Sequence, residues 1–78
     1  MEIQAKDIFA KKIKDLRVDS DMSQTEVAKF LGISQRAYSH YELGDREISL
    51  DSLVKIADYF NVSIDYLLGR TNKKEVNR

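Results

Sequence analysis

Gln35, Arg36, Ser39 and His40 are the residues of this chain whose types and spacing best suit recognition of another molecule's polar edges. A guanidinium forks onto two acceptors, a carboxamide pairs with an adjacent donor and acceptor, and a hydroxyl or imidazole can take either role. Those are the capacities that tell one base-pair edge from another. Wound as a helix at about 100° per residue, the segment 35–43 puts all four on one side, with Leu43 near its end. Ala37, Tyr38 and Tyr41 fall on the opposite side and belong in a core. The polar side carries no acidic residue, in a chain where 13 of 78 residues are acidic. An ordinary solvated face would carry Glu and Lys instead, so base readout is the chemistry this face predicts.

Catalysis finds no comparable support. His40 is the only His, and there is no Cys to act as a nucleophile or to complete a metal site. No Gly-rich phosphate loop is present, and pairs such as Asp19/Asp21 arise by chance among so many acids. The expectation is a protein that is not an enzyme, with no metal, no cofactor and no small-molecule ligand.

Such a face needs a scaffold to present it. Ser follows a hydrophobic residue at Met22-Ser23, Ile33-Ser34, Ile48-Ser49 and Val62-Ser63, and a hydrophobe stands four positions after each Ser (Val27, Tyr38, Leu53, Leu67). That is the spacing of a Ser N-cap with a hydrophobic staple. Ser23 has Glu26 three residues on, which completes a capping box. Gly32, Gly44 and Gly69 each follow an apolar periodic stretch, where a helix C-terminus favours a residue that tolerates positive φ. These signals predict helices over about 6–20, 24–31, 35–43, 50–60 and 64–68. Phe9, Ile13 and Leu16 line the first; Val27, Ala28 and Leu31 the second; Leu53, Ile56, Ala57 and Phe60 the fourth. Tyr59, beside Phe60, also reads as core. The second and third helices are joined only by Gly32-Ile33-Ser34, a turn short enough to force a steep crossing. Such a unit presents its second helix to the major groove of DNA.

Length and charge bound the rest. Seventy-eight residues make one domain with a thin core. The reading is one domain over 1–69 and a polar tail over 70–78 that is expected to fray. The apolar runs are too short to span a membrane, the first residues lack the layout of a signal peptide, and cytoplasmic residence is expected. The 13 basic and 13 acidic residues cancel. Positions 45–60 run acidic and 61–78 basic, so binding to DNA would rest on placed contacts rather than on a broad positive field.

The run Met22-Ser23-Gln24-Thr25-Glu26-Val27-Ala28-Lys29-Phe30-Leu31-Gly32-Ile33-Ser34-Gln35, followed by Tyr41-Glu42-Leu43-Gly44, closely resembles the phage-repressor/Cro-like (XRE) helix-turn-helix family. Leu53-Val54-Lys55-Ile56-Ala57 and the stretch Val62-Ser63-Ile64-Asp65-Tyr66-Leu67-Leu68-Gly69 extend the likeness to about residues 8–69. The resemblance implies an all-α, compact five-helix lambda-repressor-like domain that binds near-palindromic double-stranded operator DNA, usually as a homodimer.

Carried over by position, the resemblance places Gln24 where family members contact a phosphate and brace the first recognition residue, here Gln35. Gln35, Arg36, Ser39 and His40 fall at the base-reading positions, and Ser34 and Arg46 are the further phosphate-contacting candidates. Arg17 and Glu42 occupy the places of an ion pair that joins the first helix to the end of the third. Tyr66 and Leu68, near the fifth helix, are the candidates for the dimer interface. The loop after the third helix departs from the family pattern. Often basic with a Pro in the family, here it reads Gly44-Asp45-Arg46-Glu47-Ile48, leaving Arg46 as its only cation.

Two other readings compete. An antitoxin would use the same fold and also clamp a toxin, but would commonly need more length than the tail and first residues offer. A protein-interaction module that had lost DNA would carry an acidic or apolar face where Gln35, Arg36, Ser39 and His40 stand.

Overall fold

The computed structural model describes residues 4–75. Five helices follow one another, α1 (Ala5–Asp19), α2 (Gln24–Leu31), α3 (Gln35–Leu43), α4 (Leu50–Phe60) and α5 (Ile64–Leu67), with no strand among the described residues. The all-α, five-helix expectation holds. The helix bounds differ from the expected ones by a single residue at the ends of α1 and α5.

The serines explain where α2 to α5 begin. Ser23, Ser34, Ser49 and Ser63 each accept a hydrogen bond from the N–H three residues on, at 2.9–3.2 Å. At α2 the Ser23 N–H also donates to Glu26 Oε1 at 3.1 Å, closing the capping box. Each cap satisfies a donor that the helix itself leaves open and is worth about 1 kcal/mol. α1 starts at Ala5, and its N-cap residue, Gln4, makes no side-chain cap bond.

Two glycines are required by space as well as by backbone sign. Gly44 (φ 76°) ends α3 beneath α1, where a Cβ would lie 3.0 Å from Asp7 Oδ1. Gly69 (φ 77°) follows α5 against Ile8, whose Cγ2 would stand only 2.7 Å from an added Cβ. α4 ends differently, on Asn61 in the left-handed region (φ 54°), a place Asn tolerates better than most residues. No Gly marks that boundary in the sequence.

Apolar residues spaced for one face close the core. Phe9, Ile13 and Leu16 of α1 meet Val27, Ala28 and Leu31 of α2, Tyr38 of α3, Leu53, Ile56 and Ala57 of α4, and Val62 and Leu67 beyond. The residues before each capping Ser (Met22, Ile33, Ile48, Val62) belong to or pack on the same cluster as their partners four positions after it, as the staple spacing predicts. α1 packs on α3 and α5, α2 on α3 and α4, and α4 on α5. α3 is thus gripped from one side by α1 and α2, which leaves its other side open.

The described part of the tail, to residue 75, is not free of the domain. Ser63 N–H donates to the Lys74 carbonyl at 2.8 Å, Arg70 N–H donates to the Asp65 carbonyl at 2.8 Å, and the Lys74 ammonium lies 5.9 Å from the Tyr66 ring centre. The rest of the tail, 76–78, lies outside the described residues.

Candidate nucleic-acid interface

The side chains that hold α3 form one polar relay from α1 to the first turn of α3. Arg17 of α1 donates through Nε to Glu42 Oε2 at 2.6 Å and through Nη2 to Glu42 Oε1 at 3.1 Å. Its remaining Nη1 donates to the Met22 carbonyl at 2.9 Å, so the fork also ties the α1–α2 connection. Glu42 takes a third bond, from Gln24 Nε2 at 3.0 Å. Gln24 Oε1 in turn accepts from Gln35 Nε2 at 2.6 Å.

Direction in this relay is dictated by chemistry. An ionised carboxylate can only accept, so Glu42 obliges Gln24 to turn its amide nitrogen inward. The Gln24 oxygen is then the group left for Gln35, which must donate to it. Gln35 therefore faces outward with its own amide oxygen and one remaining N–H, an adjacent acceptor and donor. The orientation of an exposed side chain is set by an ion pair whose Glu42 side chain is only 4% exposed.

The electrostatics of Glu42 follow from these contacts. Burial alone would raise its carboxyl, but hydrogen bonds from Arg17 and Gln24, the nearby Tyr38 hydroxyl and the Arg17 charge together outweigh burial and hold it below the usual glutamate range. Tyr38 is fully buried; its hydroxyl has no hydrogen bond of good geometry, and burial first of all pushes it far above the usual phenol range.

Beyond this relay, the open side of α3 carries Gln35 and Arg36 exposed and Ser39 and His40 half-buried, while Ala37 and Tyr41 are half-buried and Tyr38 is buried. Arg36 forms no ion pair among the described residues. Leu43 ends the face at 69% exposure. Ser34 is occupied in capping α3, with its surface still open to solvent. Arg46 is exposed in the next loop and lines a shallow groove with Lys6, Phe9, Glu47 and Leu68.

Two features of this region were missed in the sequence. Gln24 bridges Glu42 to Gln35, joining two contacts that the resemblance gave separately. His40 Nδ1 lies 2.9 Å from Asp45 Oδ1. The signal for the second was present, because a residue just past a Gly that ends a helix is folded back on the last turn.

Tyr66 and Leu68, the candidates for a dimer interface, lie at and just beyond α5. Tyr66 is half-buried with the Lys12 ammonium 4.5 Å from its ring centre, and Leu68 is half-buried in the groove beside Arg46. Neither stands on an open apolar face. The exposed apolar residues there are Val54 and Ile64, which line a shallow groove with Ala57 and Val62, edged by Asp58 and Asp65. Tyr59 is not core: it is 41% exposed, its ring tilted against exposed Phe30 with the centres 4.2 Å apart and its hydroxyl 3.4 Å from Met22 Sδ. Only Phe60 of that pair packs on the core. The α4 periodicity alone separates them, since Phe60 follows Ile56 and Ala57 by four and three residues on the inward face while Tyr59 lies well round from it.

Comparison with known proteins agrees with this architecture. The family model described as Helix-turn-helix (HTH_3) matches residues 13–67. The chain is 40% identical over 68 residues to the uncharacterized HTH-type transcriptional regulator YqaE of Bacillus subtilis, covering 86% of this chain and 59% of that protein. It is 38% identical over 61 residues to the cryptic phage CTXphi transcriptional repressor RstR of Vibrio cholerae, covering 78% of this chain and 55% of that one. The chain therefore spans little more than half the length of these relatives. The crystal structure of the clp gene regulator ClgR from Corynebacterium glutamicum superposes with a TM-score of 0.75 at 21% identity, over 86% of this chain and 87% of that one, a likeness of fold. With α2 and α3 joined by a three-residue turn inside the matched span, this chain belongs to the XRE-type helix-turn-helix family.

Proposed function

We propose that the chain is a sequence-specific DNA-binding transcriptional repressor that lays α3 in the major groove of a near-palindromic operator. The observation that carries this reading is the open face of α3. Its readers are polar and none is acidic, and the first of them, Gln35, is oriented from behind by Gln24 and the Arg17–Glu42 pair. Gln35, Arg36, Ser39 and His40 are the base readers. Gln24 and Ser34 at the helix starts and Arg46 in the following loop meet phosphates, which fix register without reading sequence. The cytoplasm, where operator DNA lies, is its place of action.

One α3 covers a short half-site, and a twofold partner doubles the contacts. The homodimer forms through the α4–α5 end, where Val54 and Ile64 present apolar surface, rather than through Tyr66 and Leu68. Half-sites then repeat about one helical turn, roughly 34–36 Å, apart.

The test is titration of a duplex selected from a random pool, with footprinting and a salt series. A symmetric footprint is expected, with a log–log salt slope shallower than about −6 because few phosphate-contacting cations are present. Absence of any enriched sequence at low salt would overturn the reading and turn attention to protein partners for the same face. An asymmetric, single half-site footprint would overturn the dimer.

A further inference from the structure

His40 stands among the proposed base readers, yet its ring is already engaged. Gly44 turns the chain back after α3, so that the Asp45 N–H donates to the His40 carbonyl at 3.3 Å while the Asp45 carboxylate meets His40 Nδ1 at 2.9 Å. Asp45 is thus tied to His40 by main chain and side chain together. An ionised carboxylate only accepts, so the proton of the bond belongs to Nδ1, and a neutral imidazole then offers Nε2 as a bare lone pair.

We infer that Asp45 is a positioning residue that fixes His40 as a hydrogen-bond acceptor, so that the base opposite His40 is one presenting an amino group, adenine or cytosine. The inference rests on the reading that α3 faces base edges. In the major groove adenine N6 and cytosine N4 donate, whereas guanine O6 and N7 and thymine O4 accept. An imidazole free to exchange tautomers could serve either kind and would discriminate between neither. The half-exposed Asp45 carboxylate also repels phosphate, but that penalty is common to every sequence. Selectivity and affinity are therefore set in opposite senses by one side chain.

The first arm of the test needs no DNA. His40 is the only histidine, so nitrogen NMR, taken at a pH high enough that its ring signals no longer move, reports its tautomer without ambiguity. The expected result is a proton on Nδ1 in the native chain and a mixture or a shift to Nε2 in Asp45→Ala. A proton on Nε2 in the native chain overturns the inference whatever becomes of the DNA-binding reading.

The second arm compares selected duplexes carrying each base pair at the position that His40→Ala relaxes. The native chain should favour adenine or cytosine there by about five-fold, the worth of one hydrogen bond. Asp45→Ala and the same-sized Asp45→Asn should bring that ratio to within about two-fold while tightening binding to every duplex. With His40→Ala already present, Asp45→Ala should change overall affinity only. An unchanged ratio in both Asp45 variants, a native preference for guanine or thymine, or no position relaxed by His40→Ala would overturn it. If substitutions of Gln35 and Arg36 still alter base preference in that case, the reading of α3 survives and this inference alone fails.

Discussion

The two ends of this molecule are held by different physics. At the α2–α3 end, Arg17, Glu42, Gln24 and Gln35 form a directional relay in which each donor and acceptor has its assigned place. At the α4–α5 end, capping serines and apolar contacts do the work, and Val54 and Ile64 remain exposed. Hydrogen bonds demand particular angles and apolar contacts do not. The first end therefore fixes the direction of individual side chains, which recognition of base edges needs. The second offers adhesive surface without fixed direction, which suits self-association.

The comparison breaks most sharply at Glu42. Glu42→Ala leaves the Arg17 guanidinium nearly buried without its partner, and a loss of about 3 kcal/mol in urea unfolding is expected. Ser63→Ala at the other end should cost only about 1 kcal/mol. Acid gives a second view of the same site. The Glu42 carboxyl is lowered in the folded state, so its stabilising share is complete above the unfolded-state value of about 4.3 and is lost as pH falls through the lower folded value. The acid limb of the stability curve below about pH 5 should flatten in Glu42→Gln.

Next in size is the apolar end. Ile64→Glu places a charge beside Asp58 and Asp65 and should weaken dimer association at least about ten-fold in sedimentation, leaving thermal unfolding of the monomer nearly unchanged. Tyr66→Glu, by contrast, should lower stability, because that ring is packed under Lys12. A dimer unaffected by Ile64→Glu would place self-association elsewhere.

Folding stability separates the two turns that flank α3. Gly44→Ala combines left-handed strain with a 3.0 Å approach to Asp7 and should cost about 2 kcal/mol. Gly32→Ala meets nothing within 4 Å and should cost about 1 kcal/mol, the strain alone. Equal losses would mean that α1 does not press on the end of α3. Smallest is Gln24→Ala, which removes the brace while leaving Arg17–Glu42 intact. It should weaken operator binding by about 1 kcal/mol with little change in melting temperature.

What could be read without the structure divides along the same line. Helix starts were legible because a Ser cap is a local event, complete within four residues, and so was the inward face of α3, which a rotation at helical pitch assigns. The end of α4 was also placed at residue 60, although Asn61 takes the left-handed cap that elsewhere falls to Gly. Of α5, the staple made only the inward place of Leu67 legible. Four residues are too few for periodicity to choose a side, and α1 and α4 decide which of Ile64, Tyr66 and Leu68 stays open. The contact of half-exposed Tyr59 with Phe30 of α2 was likewise out of reach, because it joins two helices. The link from Glu42 through Gln24 to Gln35 spans 18 residues in one step and 11 in the next, and no spacing rule reaches that far.

The central claim is that the open face of α3 reads base edges. Its most direct test is selection from a random duplex pool by the native chain and by Arg36→Ala side by side. A near-palindromic site should emerge with the native chain. Arg36→Ala should lose about 1–3 kcal/mol on it and relax one guanine per half-site, with stability unchanged. Enrichment of the same site with the same base preferences by both chains would contradict the claim.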